Sequence, residues 1–259
     1  MNGTCNLCLN EKPLIKCSHL FPNFMYKGIG DEKNRINVIS SSNAYQKKTV
    51  QSGAYEENIL CAECDNNLLS KLERYANNYL YSRFCNANCA DFEQITNCNG
   101  IELIRCKNIE YSQFKLFLQS LIWRASISNH PLFINFKLLP EDNERLRQSI
   151  VNLKPLEKHD FACVLMTPSN TDEVETDLVF INSTKPNKPS FFINQFVYLF
   201  FLDQKQIDNA TEELILNYNN EMAVTKLTSN NWETLRHSVY NGVADITQQN
   251  IAKDNNASA

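Results

Sequence analysis

Apolar positions along this chain follow two different periods. From Ala62 onward, Leu68, Leu69, Leu72, Tyr75, Ala76, Tyr79 and Leu80 recur at helical spacing and predict a helix reaching about Phe84. Tyr111 to Asn129 repeats the pattern with Phe114, Phe117, Leu118, Leu121, Ile122 and Ala125. It stops at His130-Pro131, because the residue before a proline resists the α conformation. Pro140 to Glu144 opens an amphipathic helix to about Val151, with proline and acidic residues where a helix N-terminus favours them. After that the period shortens. Phe161 to Met166, Asp177 to Ile181, Phe191 to Asp203 and Glu221 to Leu227 are β-rich runs separated by Ser-, Asn-, Pro- and Lys-rich turns. They predict a small antiparallel sheet packed on the two preceding helices.

The N-terminal part is less periodic. Leu14 to Pro22 predicts a short strand ended by proline, and the polar stretch from Ser40 to Asn58 predicts a long surface loop. Gln248 to Ala259 predicts a disordered tail. No internal repeat is visible. The expected fold class is α+β, with an N-terminal unit over 1–84, a C-terminal α+β unit over 101–247 and a tail over 248–259.

Ten cysteines change this picture. Cys5-x-x-Cys8 and Cys61-x-x-Cys64 have the spacing that lets two thiolates face one point about 2.3 Å away, the Zn–S distance. Together they predict one structural zinc site, Cys5, Cys8, Cys61 and Cys64, against the alternative of four unrelated reduced thiols. The long spacer makes the site a clasp that ties the N-terminus to the later helix. Cys85, Cys89, Cys98 and Cys106 either form a second metal site or are scattered thiols, which their irregular spacing favours.

At 259 residues and 43% hydrophobic, the chain has enough apolar surface for a core. No N-terminal basic-plus-apolar signal is present, and the longest apolar stretch, Phe191 to Leu202, is interrupted by Asn194 and Gln195. Neither secretion nor a membrane span is expected, and the cysteines suit a reducing cytoplasm. The net charge of −4 disfavours indiscriminate nucleic-acid binding by the whole surface. Residues 1–50, however, carry seven lysines and arginines against three acids, which predicts either a solvated face or a phosphate-contacting one.

The order Cys-x-x-Cys, Ser18-His19-x-x-Pro22, Leu60-Cys61-x-x-Cys64-Asp65, then helix, resembles the cysteine-knuckle branch of the HNH endonucleases. The resemblance covers roughly residues 5–84. It implies a ββα-metal head in which His19 is the general base that activates water against a phosphodiester. It also implies that Asp65 binds a catalytic Mg²⁺ or Mn²⁺ and that Asn58 is the nearest candidate for the residue orienting the base. Two positions depart from the family pattern. Ser18 stands where an acidic metal ligand normally precedes the base, and Leu68 replaces a lysine often found a turn past the second knuckle. Glu73, further along the same helix, is either a replacement carboxylate or a solvent-facing residue.

The segment Leu121 to Ser128 and the later Glu144-x-x-Arg147 are similar to a recurrent group of bacterial proteins that carry an HNH-like head and have no established reaction. For Trp123 and Arg124 the alternatives are a packing anchor with its satisfied partner, or a nucleic-acid contact. Cys17, two residues from His19 and so on the same strand face, is an alternative nucleophile without a visible orienting partner. His130, His159 and His237 are isolated. The implied activity is metal-dependent cleavage of nucleic acid, DNA foremost, with a homodimer or partner protein adding affinity and a place in defence against phage. The alternative is a catalytically inactive, zinc-stabilised module that binds nucleic acid or protein; Ser18 favours it.

Overall fold

The computed structural model describes residues 2–33, 35–40, 47–51, 53–84, 89–170, 178–182 and 188–235. The expected tail and Cys85 lie outside them. The fold is mixed α+β. Two helices follow the sequence pattern closely: α2 spans Tyr111–Ile127 and α3 spans Pro140–Val151. Helix α1 precedes them as one continuous run of π-helical turns over Glu63–Leu69, α-helix over Ser70–Ala76 and π-helical turns over Asn77–Tyr81.

Helix α2 lies at the centre. Every residue from Phe114 to Ser126 is buried, including Lys115, Gln119 and Arg124. A helix buried on all sides belongs in the middle of a core, and α2 touches both α1 and α3. The side chain of Glu110 caps its start by accepting from the Gln113 N–H at 2.7 Å.

The sheet is larger than the sequence suggests, and it is mixed rather than antiparallel. Nine strands run in the spatial order β5 (Lys47–Gln51), β4 (Arg35–Ser40), β10 (Leu178–Asn182), β11 (Ser190–Ile193), β12 (Phe196–Phe201), β9 (Ala162–Pro168), β13 (Met222–Leu227), β8 (Glu102–Cys106), β7 (Phe92–Thr96). The pairs β4–β10 and β9–β13 are parallel. The run Phe191 to Asp203, continuous in sequence, is two strands, because Asn194 takes a left-handed φ of 58° and turns the chain back. Part of the stretch expected as loop is also strand: β5 pairs with β4, setting Val50 opposite Ile36, and β6 (Tyr55–Glu56) follows. The pair β7–β8 was hidden by its shortness; its one signal is Asn99-Gly100 at the turn, where Gly100 has a φ of 76°.

One apolar cluster runs from Leu7, Leu20 and Phe21 through Leu72 and Leu80 to Phe117, Phe191 and Val224, so the N-terminal third and the later helices and strands share a core. Alternate residues of β9 serve its two faces: Cys163 and Leu165 join this cluster, while Ala162 and Val164 join a smaller one with Phe201 and Ile215.

Two short antiparallel pairs complete the N-terminal part. β1 (Asn2–Thr4) pairs with β2 (Glu11–Pro13), and β3 (Ser18–His19) pairs with β6 (Tyr55–Glu56). Between β3 and β6 the chain leaves to form the β4–β5 hairpin at the sheet edge and returns through Gly53. That glycine has a φ of +83°, and a Cβ on it would lie 2.3 Å from the Tyr26 ring. The next residue, Ala54, accepts from the Leu20 N–H at 2.9 Å and so fixes the chain just past His19. Gly53→Ala should therefore lower stability by about 1–3 kcal/mol. Urea denaturation would measure this, and an unchanged midpoint would mean that the return strand does not depend on this close approach.

Candidate functional site

The first cysteine knuckle forms the tip of the β1–β2 hairpin. The Cys5 N–H donates to the Asn10 carbonyl at 3.1 Å, and the Cys5 carbonyl accepts from the Leu9 N–H at 2.8 Å. Leu9 closes this turn with a left-handed φ of 60°. The second knuckle joins β6 to α1. Asn58, also left-handed at 60°, turns the chain so that its N–H meets the Ile15 carbonyl at 2.9 Å. Cys61 bridges to Leu14, and Cys64 lies in the first turn of α1. The knuckles meet directly, for the Cys61 N–H donates to Cys5 Sγ at 3.3 Å and the Asn6 N–H to the Ile59 carbonyl at 3.0 Å.

The four sulfurs all lie within 4.8 Å of one another. A tetrahedron with Zn–S bonds of about 2.3 Å has edges of roughly 3.8 Å, so the group fits a structural Zn²⁺. Cys5, Cys61 and Cys64 are buried and Cys8 is half-buried. Burial pushes the Cys64 and Cys61 thiols up. Burial opposes ionisation of Cys5 too, but N–H donors from Cys8, Cys61 and Leu7 outweigh it and bring that thiol down to about 7. Four thiolates this close together, three of them buried, need a cation to hold them, and a divalent ion on four sulfurs supplies that charge. Two further contacts brace the clasp. Lys12 pairs with Glu63 at the start of α1. Arg147 of α3 donates to the Leu7 carbonyl at 2.7 Å while holding Glu144 through two nitrogens.

Beside the clasp, β3 and β6 set Ser18 opposite Glu56 and His19 opposite Tyr55. Ser18 is fully buried, and its hydroxyl donates to Asp65 Oδ1 at 2.5 Å. Asp65 sits in the π-helical stretch of α1, a rare geometry that clusters at functional sites. Strand alternation turns the half-buried His19 ring to the other face of β3 from the Ser18 hydroxyl. No hydrogen bond joins His19 to Asp65 among the described residues. Asn58 takes a turn position, and among the described residues no hydrogen bond joins it to His19.

Other positions raised by the sequence fall away from this site. Among the described residues, the four cysteines are the only group of three or more His, Cys, Asp or Glu donors close enough to hold a metal. Cys98 is exposed in the turn beyond Thr96, whereas Cys106 is buried at the opposite end of β8. Several residues at about 3.3 Å each separate them, too far to share an ion. Cys89 accepts from Arg83 at 3.1 Å. Cys17 is exposed, and burial together with the nearby Asp65 and Glu57 carboxylates pushes its thiol up, away from a nucleophile's range. In the basic segment, Lys12 and Arg35 are engaged by Glu63 and Asp31, while Lys16, Lys27 and Lys33 are exposed.

Trp123 and Arg124 are both 1% exposed. Arg124 Nη1 donates to Glu73 Oε1 at 2.7 Å and to the His19 carbonyl at 3.0 Å. Glu73 is thus an ion-pair partner. Glu56 accepts from the Ser128 hydroxyl at 2.5 Å and from the Asn129 N–H. The sequence signal for Arg124 is an arginine inside an otherwise apolar helical run, which demands a partner that local pattern does not name.

In comparisons with known proteins, the chain matches no family model, no curated protein and no solved structure. Among the described residues, no helix is long and apolar enough to cross a membrane. The fold and site define a mixed α+β protein with a four-cysteine cluster whose geometry fits a structural metal ion.

Proposed function

We propose that the clasped segment is an HNH-type head that hydrolyses phosphodiester bonds of nucleic acid, with DNA as the first substrate to test. One observation carries the reading: the Ser18 hydroxyl and the Asp65 carboxylate, on the strand and the helix where that family places its catalytic-metal ligands, approach to 2.5 Å. A carboxylate and a hydroxyl are hard oxygen donors of the kind Mg²⁺ or Mn²⁺ takes, and such an ion would have to enter in place of their mutual hydrogen bond. When bound, that ion supplies charge for the phosphate and the leaving oxygen. Asp65 would hold it, with the Ser18 hydroxyl as a weaker partner in place of a carboxylate. His19, next on the strand and without a hydrogen-bond partner for its ring among the described residues, is the base that the family resemblance implies; its ring lies across β3 from the Ser18 hydroxyl, so taking the proton of the attacking water would require it to swing to the Asp65 side. Exposed Lys16, Lys27 and Lys33 would meet the phosphate backbone, so binding should weaken as salt rises.

A second reading, a non-catalytic zinc-stabilised binding module, is favoured by Ser18 itself, which leaves Asp65 as the single negative charge in that contact. Plasmid nicking by the zinc-loaded chain, with Mg²⁺ or Mn²⁺ added and with neither, separates the two. Nicking that needs the added ion supports the nuclease. DNA binding without nicking supports the module.

A further inference from the structure

We propose that the C-terminal end of α2 is a positioning clamp for His19, with Arg124 as its central residue; this rests on the nuclease reading above. Arg124 is a buried cation held by two acceptors from different elements. One is Glu73 Oε1 of α1 at 2.7 Å, and the other is the backbone carbonyl of His19 itself at 3.0 Å. Its own helix adds the Ser120 carbonyl at 3.3 Å. One turn later, Ser128 and Asn129 hold the carboxylate of Glu56, which lies opposite Ser18 in the β3–β6 pair. One short stretch of α2 and the residues just past it therefore grips all three elements of the ββα unit: β3 at His19, β6 at Glu56 and α1 at Glu73.

A two-strand pair of two residues each has little intrinsic stability, so its register must be imposed from outside. A pair with a fully buried guanidinium and a half-buried carboxylate is also a poor way to gain stability, because desolvating the charges offsets much of their attraction. What it provides is a fixed geometry, since a guanidinium offers several donors in a rigid fork and an ammonium does not. The carbonyl that Arg124 holds belongs to the residue whose side chain must point at the scissile phosphate. Small errors in the placement of a base are costly in rate, on the order of a hundredfold for 1 Å.

The test uses the full, zinc-loaded chain with Arg124→Lys and Arg124→Met, read in two ways. Hydrogen exchange of segment 17–21 is compared with that of 222–227, a strand with no part in the clamp, and nicking kinetics are measured with added Mn²⁺. A clamp predicts faster exchange in 17–21, and at most a local rise around Glu73, with 222–227 unchanged. It also predicts a fall in kcat on the order of 10- to 100-fold at constant KM, with partial recovery in the lysine variant. Equal exchange in all segments of variant and wild type, or equal acceleration everywhere, would overturn it, the latter because it marks a merely structural residue. A wild-type chain that nicks nothing would remove the nuclease reading alone, and the exchange comparison would still decide the clamp.

Discussion

Cys64→Ser, or extraction of the metal by a strong chelator, should unfold the segments around the two knuckles, β1–β2 and β3–β6, while β4, β5 and most of α1 stay held by the shared core and sheet. Cys64 is buried among three other sulfurs, and its thiol resists ionisation without a cation beside it. Structural zinc contributes about 10–16 kcal/mol of apparent binding energy in small zinc domains, as much as the whole stability of an ordinary domain. The local framework offers little to replace it: β1–β2 is three residues long on each side and β3–β6 two. Elemental analysis should give about one zinc per chain, and circular-dichroism melts should show a transition lost on chelation. Acidification should act in the same direction. Ligation requires thiolates, so metal binding releases protons and affinity falls as pH falls. Protein purified without chelator that holds no zinc and melts unchanged would remove the clasp.

His19→Ala should lower nicking by about 10²–10⁴-fold, the range assigned to a positioned general base, while zinc content and melting temperature stay near wild type. The structure makes this a clean substitution. The His19 ring is half-buried and bonded to no described residue, and the contacts that hold β3 use the His19 backbone carbonyl and the Ser18 hydroxyl. Removing the imidazole leaves those contacts in place. Full nicking by the variant would sink the assignment of His19 as base, and a variant that loses zinc would show that the ring has a structural duty not seen in the contacts.

Legibility of the chain follows the range of the interactions. Cys5, Cys8, Cys61 and Cys64 are readable because a two-residue spacer dictates geometry locally, and α2 is readable because its apolar positions follow the helical period. Strand β4 is not, since its parallel partner β10 begins at Leu178 and nothing in Arg35–Ser40 names it. The stretch around β5 looks like loop because it is polar, and only pairing with β4 makes it strand. The same holds within the site. The Ser18–Asp65 hydrogen bond joins residues 47 apart and the grip of Arg124 on His19 joins residues 105 apart, so no local pattern names either. Buried polar contacts are set by tertiary geometry, and the sequence pattern registers no more than an arginine out of place.

The parallel pairing of β4 with β10 has a consequence for how the chain is made. At about 5–20 residues per second, residues 35–40 leave the ribosome on the order of ten seconds before 178–182 exist. Over that interval Ile36 and Val38, buried in the finished protein, have no β10 to cover their edge. All four cysteines have emerged by then, so metal capture can close the N-terminal clasp first and hold the nascent hairpin to a short tether until its neighbour arrives.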